Sequence, residues 1–349
     1  MYINAIVSFL SAWQNLQRDH SQAIEDLVQS FHSMELAKFP TEERRYIRPQ
    51  RRPSTKKEIE KRYFVSPQDV DDALRRKLTN LGWQSNSRLS RVTHRYSRFM
   101  TIDFVKDGIG LELGLSKEAF VESRIFVGFP RFVQANIFQT AVILVPMASL
   151  AKQMLVGVGN FESLSDMLQE TRPLPLKYPF AIVGFSENKT SIEVTELTSE
   201  LDTFLIHNIG MTIEEMALLN EQPNYDFKLL LPKNDKLAQE VCGFANSKSG
   251  GYILLGLDKN GKPVGLTKGT TLDDIQLQIT NVIHGNCRPI PRFEFLVFDN
   301  PENTKTAIII AKIYAIERKP CVVQDKIYVR SGPSVRPADS EEIRRLVLE

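Results

Sequence analysis

Cysteine is scarce in this 349-residue chain: Cys242, Cys287 and Cys321 are an odd set with no CxxC pair. That excludes a disulfide framework and a thiolate metal cluster, and a reducing, cytoplasmic setting is expected. Histidine is equally thin. His20, His32, His94, His207 and His284 lie scattered, so no zinc site is expected. No apolar run approaches the ~18–20 residues that cross a bilayer. The opening MYINAIVSFLSAW has neither a basic leader nor a small-residue cleavage site, and it reads as the first turns of a packed helix. No membrane partner is expected. Repeats and low-complexity tracts are lacking too. Net charge is only +2, so bulk charge names no partner.

The chain does have ample core material, 42% apolar against 25% charged residues, over a length that suits two domains. The boundaries expected are 1–200 and 201–349. The distribution of charge is uneven. From Arg44 to Arg98, sixteen Lys and Arg stand against five acids, with Tyr46, Tyr63, Phe64 and Trp83 interleaved. Such a run is either a solvated face or a surface for phosphate, and the interleaved aromatics favour phosphate. Arg51, Arg52, Lys56 and Lys57 lie in a proline-broken arm. Arg75 and Arg76 lie on a helix expected over 67–82, with Ser66 as its cap, Pro67 at its first position and Gly82 past its end. All six are candidate nucleic-acid contacts. Helical stretches are also expected over 2–37, 118–135 and 162–170, and strands at MTIDFV, GIGLELGL, TAVILVP and PFAIVGF.

MTIDFVKDGIGLELGL carries the first constellation. Asp107-Gly108 is a tight-turn dipeptide between two apolar runs, so the stretch reads as a β-hairpin. Glu112 alternates with Leu111 and Leu113 in a strand where an isolated carboxylate is costly. Asp103 sits in an equally apolar partner strand. Two readings stay open. Glu112 lies on the solvated face of an edge hairpin, or Asp103 and Glu112 converge on one divalent cation such as Mg2+.

With the following TAVILVPMASLAKQM and GVGNFESL, this stretch resembles the BglII-like branch of the restriction-endonuclease PD-(D/E)xK superfamily over about residues 95–185. The resemblance implies that Asp103 and Glu112 bind catalytic Mg2+ or Mn2+. It also implies a Lys, Glu or Gln two residues after the Glu. Here Gly114 stands there. Lys117 is the nearest candidate for the catalytic cation, though its parity places it on the opposite face unless a bulge intervenes.

The second constellation is FANSKSGGYILLGLDKNGKPVGL, with Glu221-x4-Asp226-Phe227-Lys228 before it and Tyr328-Val329-Arg330-Ser331-Gly332 and Arg336 after it. Gly250-Gly251 precedes a strand rather than opening a helix, which excludes a dinucleotide fingerprint and a P-loop. The run resembles the Schlafen AlbA-type domain over about residues 213–349. That resemblance implies nucleic-acid binding, and in some members RNA cleavage by three acids, whose positions here are Glu221, Asp226 and Asp258. The alternative is that Asp226 and Asp258 keep the fold, and that Lys228, Arg330 and Arg336 contact phosphate.

The expected architecture is therefore α/β plus α+β: a restriction-endonuclease-like mixed sheet followed by a Schlafen AlbA-type α+β domain. The expected function is a metal-dependent phosphodiester hydrolase acting on DNA or RNA in prokaryotic defence. The alternative, motivated by Gly114, is a catalytically inactive nucleic-acid-binding regulator or an adaptor for a separate effector. A homodimer is expected by analogy only.

Overall fold

In a computed structural model of the chain, the structure describes all residues except 35–40, 47–59, 93–96, 155–156, 172–173, 175 and 349. The arm bearing Arg51, Arg52, Lys56 and Lys57 thus lies outside the described residues. Contacts divide the chain into two units, Met1–Thr198 and Ser199–Glu349. Among the described residues no helix is long and apolar enough to cross a membrane.

The front unit opens with strand β1 (Tyr2–Phe9) and helices α1 (Ala12–Asp19) and α2 (Ser21–His32). The helix expected at the very start is therefore a strand. β1 runs between β8 (Phe180–Ser186), antiparallel, and β9 (Glu193–Glu196), parallel, and all but its first residue is buried. An apolar run buried on both faces carries no period of two, so periodicity cannot separate it from a core helix. Next come β2 (Thr41–Tyr46), β3 (Glu60–Val65) and α3 (Pro67–Asn80). α3 begins as the sequence demands: Ser66 Oγ accepts the Asp69 N–H at 3.3 Å, Pro67 fills a position that needs no donor, and Gly82 has φ +86°.

β4 (Gln84–Val92), β5 (Ser97–Lys106), β6 (Ile109–Leu113) and β7 (Thr140–Pro146) complete a seven-stranded sheet in the order β4-β5-β6-β7-β8-β1-β9. β6, β7 and β8 are parallel, and the β5–β6 pair is the expected hairpin. Asp107 and Gly108 both take positive φ, 48° and 79°, as a two-residue turn of this hand requires. One face of the sheet packs Phe104, Leu111, Leu113 and Val142 with Trp13, Leu27, Phe31 and Leu74 from α1, α2 and α3. Trp83, expected among surface aromatics, is buried in this core and donates its Nε1–H to Asp26 at 3.0 Å.

Between β6 and β7 run α4 (Glu118–Ser123), a π-helical turn (Arg124–Gly128) and α5 (Phe129–Gln134). The wide turn ends just before Pro130, which has no N–H to give to Phe126 in an α ladder. α6 (Ala148–Ala151) and α7 (Phe161–Glu170) precede β8.

The rear unit contains α8 (Glu200–Asn208), α9 (Ile213–Leu219), β10 (Tyr225–Lys228), α10 (Asn234–Ala245), β11 (Gly251–Leu255), β12 (Leu266–Thr267) and α11 (Thr270–Asn286). β13 (Cys287–Arg288), β14 (Phe293–Asn300), β15 (Asn303–Ile313), β16 (Val322–Val323), β17 (Tyr328–Ser331), β18 (Ser334–Pro337) and α12 (Ser340–Leu348) follow. β15 pairs with β14 on one side and with β11 and β12 on the other, and β10 runs parallel to β11. One sheet face packs on α8 and α9, the other on α10 and α11. Gly250, at φ +74°, admits no side chain, because a Cβ there would meet the Ile313 carbonyl oxygen at 2.1 Å. The three cysteines are buried thiols.

Candidate active site

The β5–β6 hairpin opens where the acids lie. Its paired register runs from Lys106↔Ile109 to Phe104↔Leu111. One step further, the Asp103 carboxylate takes the place of a backbone acceptor: Oδ2 accepts the Leu113 N–H at 2.9 Å. Glu112 Oε2 accepts the Asp103 N–H at 3.4 Å in return. The two carboxylates are thereby held on the same side of the fork. They line a cavity of about 490 Å3, together with Asp71 and Arg75 of α3, Arg124 of the π turn and Gly114.

Both acids face arginines. Arg75 NH2 lies 3.0 Å from Asp103 Oδ1 and 3.5 Å from Asp71. Its guanidinium also sits 5.1 Å from the Phe104 ring centroid. Arg124 Nε lies 2.8 Å from Glu112 Oε1, and Arg124 NH1 donates to the Thr101 carbonyl at 2.9 Å. Glu112 is 7% exposed. Burial, then the neighbouring Asp103 charge, pushes its pKa up to about 8, against the pull of Arg124. Burial also raises Asp71, with Asp103 adding to it and Arg75 opposing.

A divalent cation fits this donor set. Mg2+ commonly takes one or two carboxylates and fills its shell with water and phosphate oxygens, and Asp103 and Glu112 supply two that border open volume. Burial first, and the Asp103 charge second, favour the protonated form of Glu112, a preference that a bound dication would reverse. Among the described residues no group of three or more His, Cys, Asp or Glu is suited to hold a metal, so the candidate ligands are a pair.

The other sequence candidates fall in different places. Lys117 caps the start of α4, is exposed, and is not among the residues lining the cavity. A bulge that would turn it inward does not occur; its backbone bridges Val158 instead. At Gly114 a Cβ would meet Val145 Cγ1 at 2.5 Å, so β7 already fills the place of the implied strand side chain. Arg75 is a partner of Asp71 and Asp103, and Arg76 beside it is exposed. The i,i+4 spacing of Asp71 and Arg75 was a readable signal for their pairing. Nothing in the spacing pointed to Arg124.

In the rear unit, Glu221 and Asp226 come together around Lys228, but Asp258 does not join them. Asp258 Oδ1 accepts the Asn260 and Lys262 N–H groups at 2.8 and 2.9 Å and shapes its own turn. The third acid is Glu240 of α10, 3% exposed. Its place beside Leu237, Val241 and Phe244 on the apolar stripe of α10 was the sequence signal for it. Lys228 Nζ lies 2.7 Å from Asp226, 3.4 Å from Glu240 and 3.8 Å from Glu221. Burial raises Glu221 to about 7, with Asp226 adding to it. Burial pushes Asp226 upward too, but Glu221 and Lys228 outweigh it and hold that carboxyl below its ordinary range.

Arg330 is internal as well, its side chain 3% exposed, 3.7 Å from Asp226 and stacked 4.3 Å from the Phe244 centroid. Lys228 and Arg330 are counter-ions within the fold rather than a surface for phosphate. Arg336 is at the surface, paired with Glu342 at 2.8 Å.

A mixed sheet whose forked hairpin presents paired acids to a cleft defines a restriction-endonuclease-like unit, and the unit that follows it in sequence is of the Schlafen AlbA type. Residues 5–185 match the family model for restriction endonuclease BglII/BglIII, and the chain belongs to that family. Residues 221–339 match the model Schlafen, AlbA_2. Among solved structures, the chain is similar to restriction endonuclease BglII complexed with a DNA 16-mer, at 16% identity and a TM-score of 0.40, over 56% of this chain and 82% of that one. It is also similar to the DIP2311 protein from Corynebacterium diphtheriae, at 21% identity and a TM-score of 0.27, over 36% of this chain and 23% of that one. No curated protein matches it.

Proposed function

We propose that the protein is a divalent-metal-dependent endonuclease, with the front unit cutting and the rear unit holding nucleic acid. The observation that carries this reading is the convergence of the Asp103 and Glu112 carboxylates on an open cavity of about 490 Å3. Asp103 and Glu112 would hold Mg2+ or Mn2+, which when bound activates water and stabilises the leaving oxygen of a phosphodiester. Asp103 is oriented by the Leu113 N–H, and α4 and the π turn form a wall of the cavity that would confine a reacting phosphate. The family name makes duplex DNA the first substrate to try, with RNA the second. A role in defence against foreign nucleic acid belongs to the same reading.

The test is incubation of the full chain with plasmid, single-stranded DNA and RNA in Mg2+ or Mn2+. Cleavage that is lost in Asp103→Asn and Glu112→Gln is expected. Undiminished cleavage by Glu112→Gln removes the front site from the chemistry.

A second reading is favoured by Gly114, where Val145 occupies the space of the strand side chain that the resemblance implies. On that reading the protein binds nucleic acid without cutting it. It predicts salt-dependent binding and no cleavage with either metal.

A further inference from the structure

Hydrolysis of a phosphodiester needs positive charge opposite the non-bridging oxygens as negative charge grows there. In this cleft the strand cannot supply it. Gly114 has no side chain, and any Cβ there would lie 2.5 Å from Val145 Cγ1 and 3.1 Å from the Leu144 carbonyl oxygen. Among the described residues that line the cavity, the cations are Arg75 and Arg124. Arg75 is committed: it bridges Asp71 and Asp103 and covers the Phe104 ring.

Arg124 is placed differently. It enters from the wall facing the hairpin, its side chain 30% exposed. Nε reaches Glu112 and NH1 reaches the Thr101 carbonyl. Among the described residues NH2 has no partner. Two features shape the place it occupies. The π turn before Pro130 opens at Arg124 itself. Gly128, at the end of that turn, leaves room for the arginine stem, since a Cβ there would lie 3.3 Å from Arg124 Cδ.

We propose that Arg124 is a catalytic residue that takes over from the missing strand side chain, gripping the scissile phosphate of the nucleic acid from the opposite wall of the cleft. Its fork of donors suits two phosphate oxygens at once, while Nε keeps Glu112 aligned. In the step it assists, a water oxygen bonds to phosphorus as the ester P–O bond breaks. The attacking water gives a proton to solvent, and the departing alkoxide takes one from solvent. One water is consumed, and a phosphomonoester and an alcohol result. This inference rests on the proposed nuclease reading.

The experiment compares wild type, Arg124→Ala and Arg124→Lys as full chains. Three quantities are read: single-turnover cleavage in Mn2+, Mn2+ affinity by calorimetry without DNA, and binding of a short labelled duplex in EDTA by anisotropy. Arg124→Ala is expected to slow cleavage by about 10²–10³-fold. It should weaken duplex binding in EDTA, yet bind Mn2+ at least as tightly as wild type, because Glu112 loses its competing ion pair. Arg124→Lys should recover part of the rate, keeping the charge but not the fork. Wild-type cleavage rates in Arg124→Ala overturn the proposal. So does a parallel loss of Mn2+ affinity and rate in both variants, which marks a structural role. If wild type itself cuts nothing, the nuclease reading fails, and unchanged duplex binding by Arg124→Ala then removes the phosphate contact as well.

Discussion

Asp226 Oδ1 lies 2.7 Å from Nζ of Lys228, two residues further along the same strand, in a pocket that also holds Glu240 at 3.4 Å. Asp226 and Glu240 are almost fully buried, so the ammonium offsets carboxylates that water does not reach. Lys228→Met leaves Glu240 without this partner and leaves Asp226 only Arg330, at 3.7 Å. Breaking a buried pair from one side costs roughly 3–5 kcal/mol. Arg336→Ala, by contrast, removes a surface pair with Glu342. That loss is expected to be below about 1 kcal/mol. Urea denaturation of both variants measures the contrast, and equal losses contradict the internal role given to Lys228.

Glu112 predicts a pH dependence of opposite sign to that of an ordinary salt-bridged acid. Its folded value of about 8 lies above the ordinary 4.5, so the folded state holds the proton more tightly. The stabilisation is fully present below the ordinary value and is lost as pH rises through the folded one. Between the two, wild type should lose about 1.4 kcal/mol per pH unit relative to Glu112→Gln. Metal-free unfolding curves of both proteins at about pH 6 and about pH 8 supply the comparison. Parallel behaviour refutes the assignment.

The same proton governs metal binding. Coordination by Glu112 requires deprotonation, so affinity for Mn2+ should fall as pH drops below the folded value of about 8. Saturating Mn2+ should raise wild-type stability, by about 2.7 kcal/mol at a hundred times Kd. Asp103→Asn and Glu112→Gln should abolish the rise. A melting shift that persists in both variants places the ion elsewhere.

Restoring a strand cation by Gly114→Lys should fail. The new Cβ meets the fully buried Val145 side chain at 2.5 Å. Overpacking of this kind costs about 1–3 kcal/mol. In a Val145→Ala background the penalty should shrink, giving a non-additive double-mutant cycle. Strict additivity shows that Val145 is not the obstacle.

Much of the fold was legible in the chain because local chemistry specifies it. Ser66-Pro67 starts α3, and Asp107-Gly108 turns the hairpin with both residues at positive φ. β1 was not legible, since a strand buried on both faces shows no alternation. Trp83 misled for a related reason: an aromatic among arginines has the same sequence neighbours whether it lies on the surface or, as here, against Asp26 in the core.

The sequence by itself determined which acids sit on the hairpin and that position 114 offers no side chain beside them, because strand parity and a tight turn are properties of neighbouring residues. Only the tertiary structure decided which cations answer them. Arg75 comes from a helix 28 residues before Asp103, and Lys228 gathers Glu240 from another element. Ion pairs between elements depend on packing direction, and no spacing along a chain encodes that. Arg124, brought across the cleft to Glu112 by a π turn, is a residue of this kind.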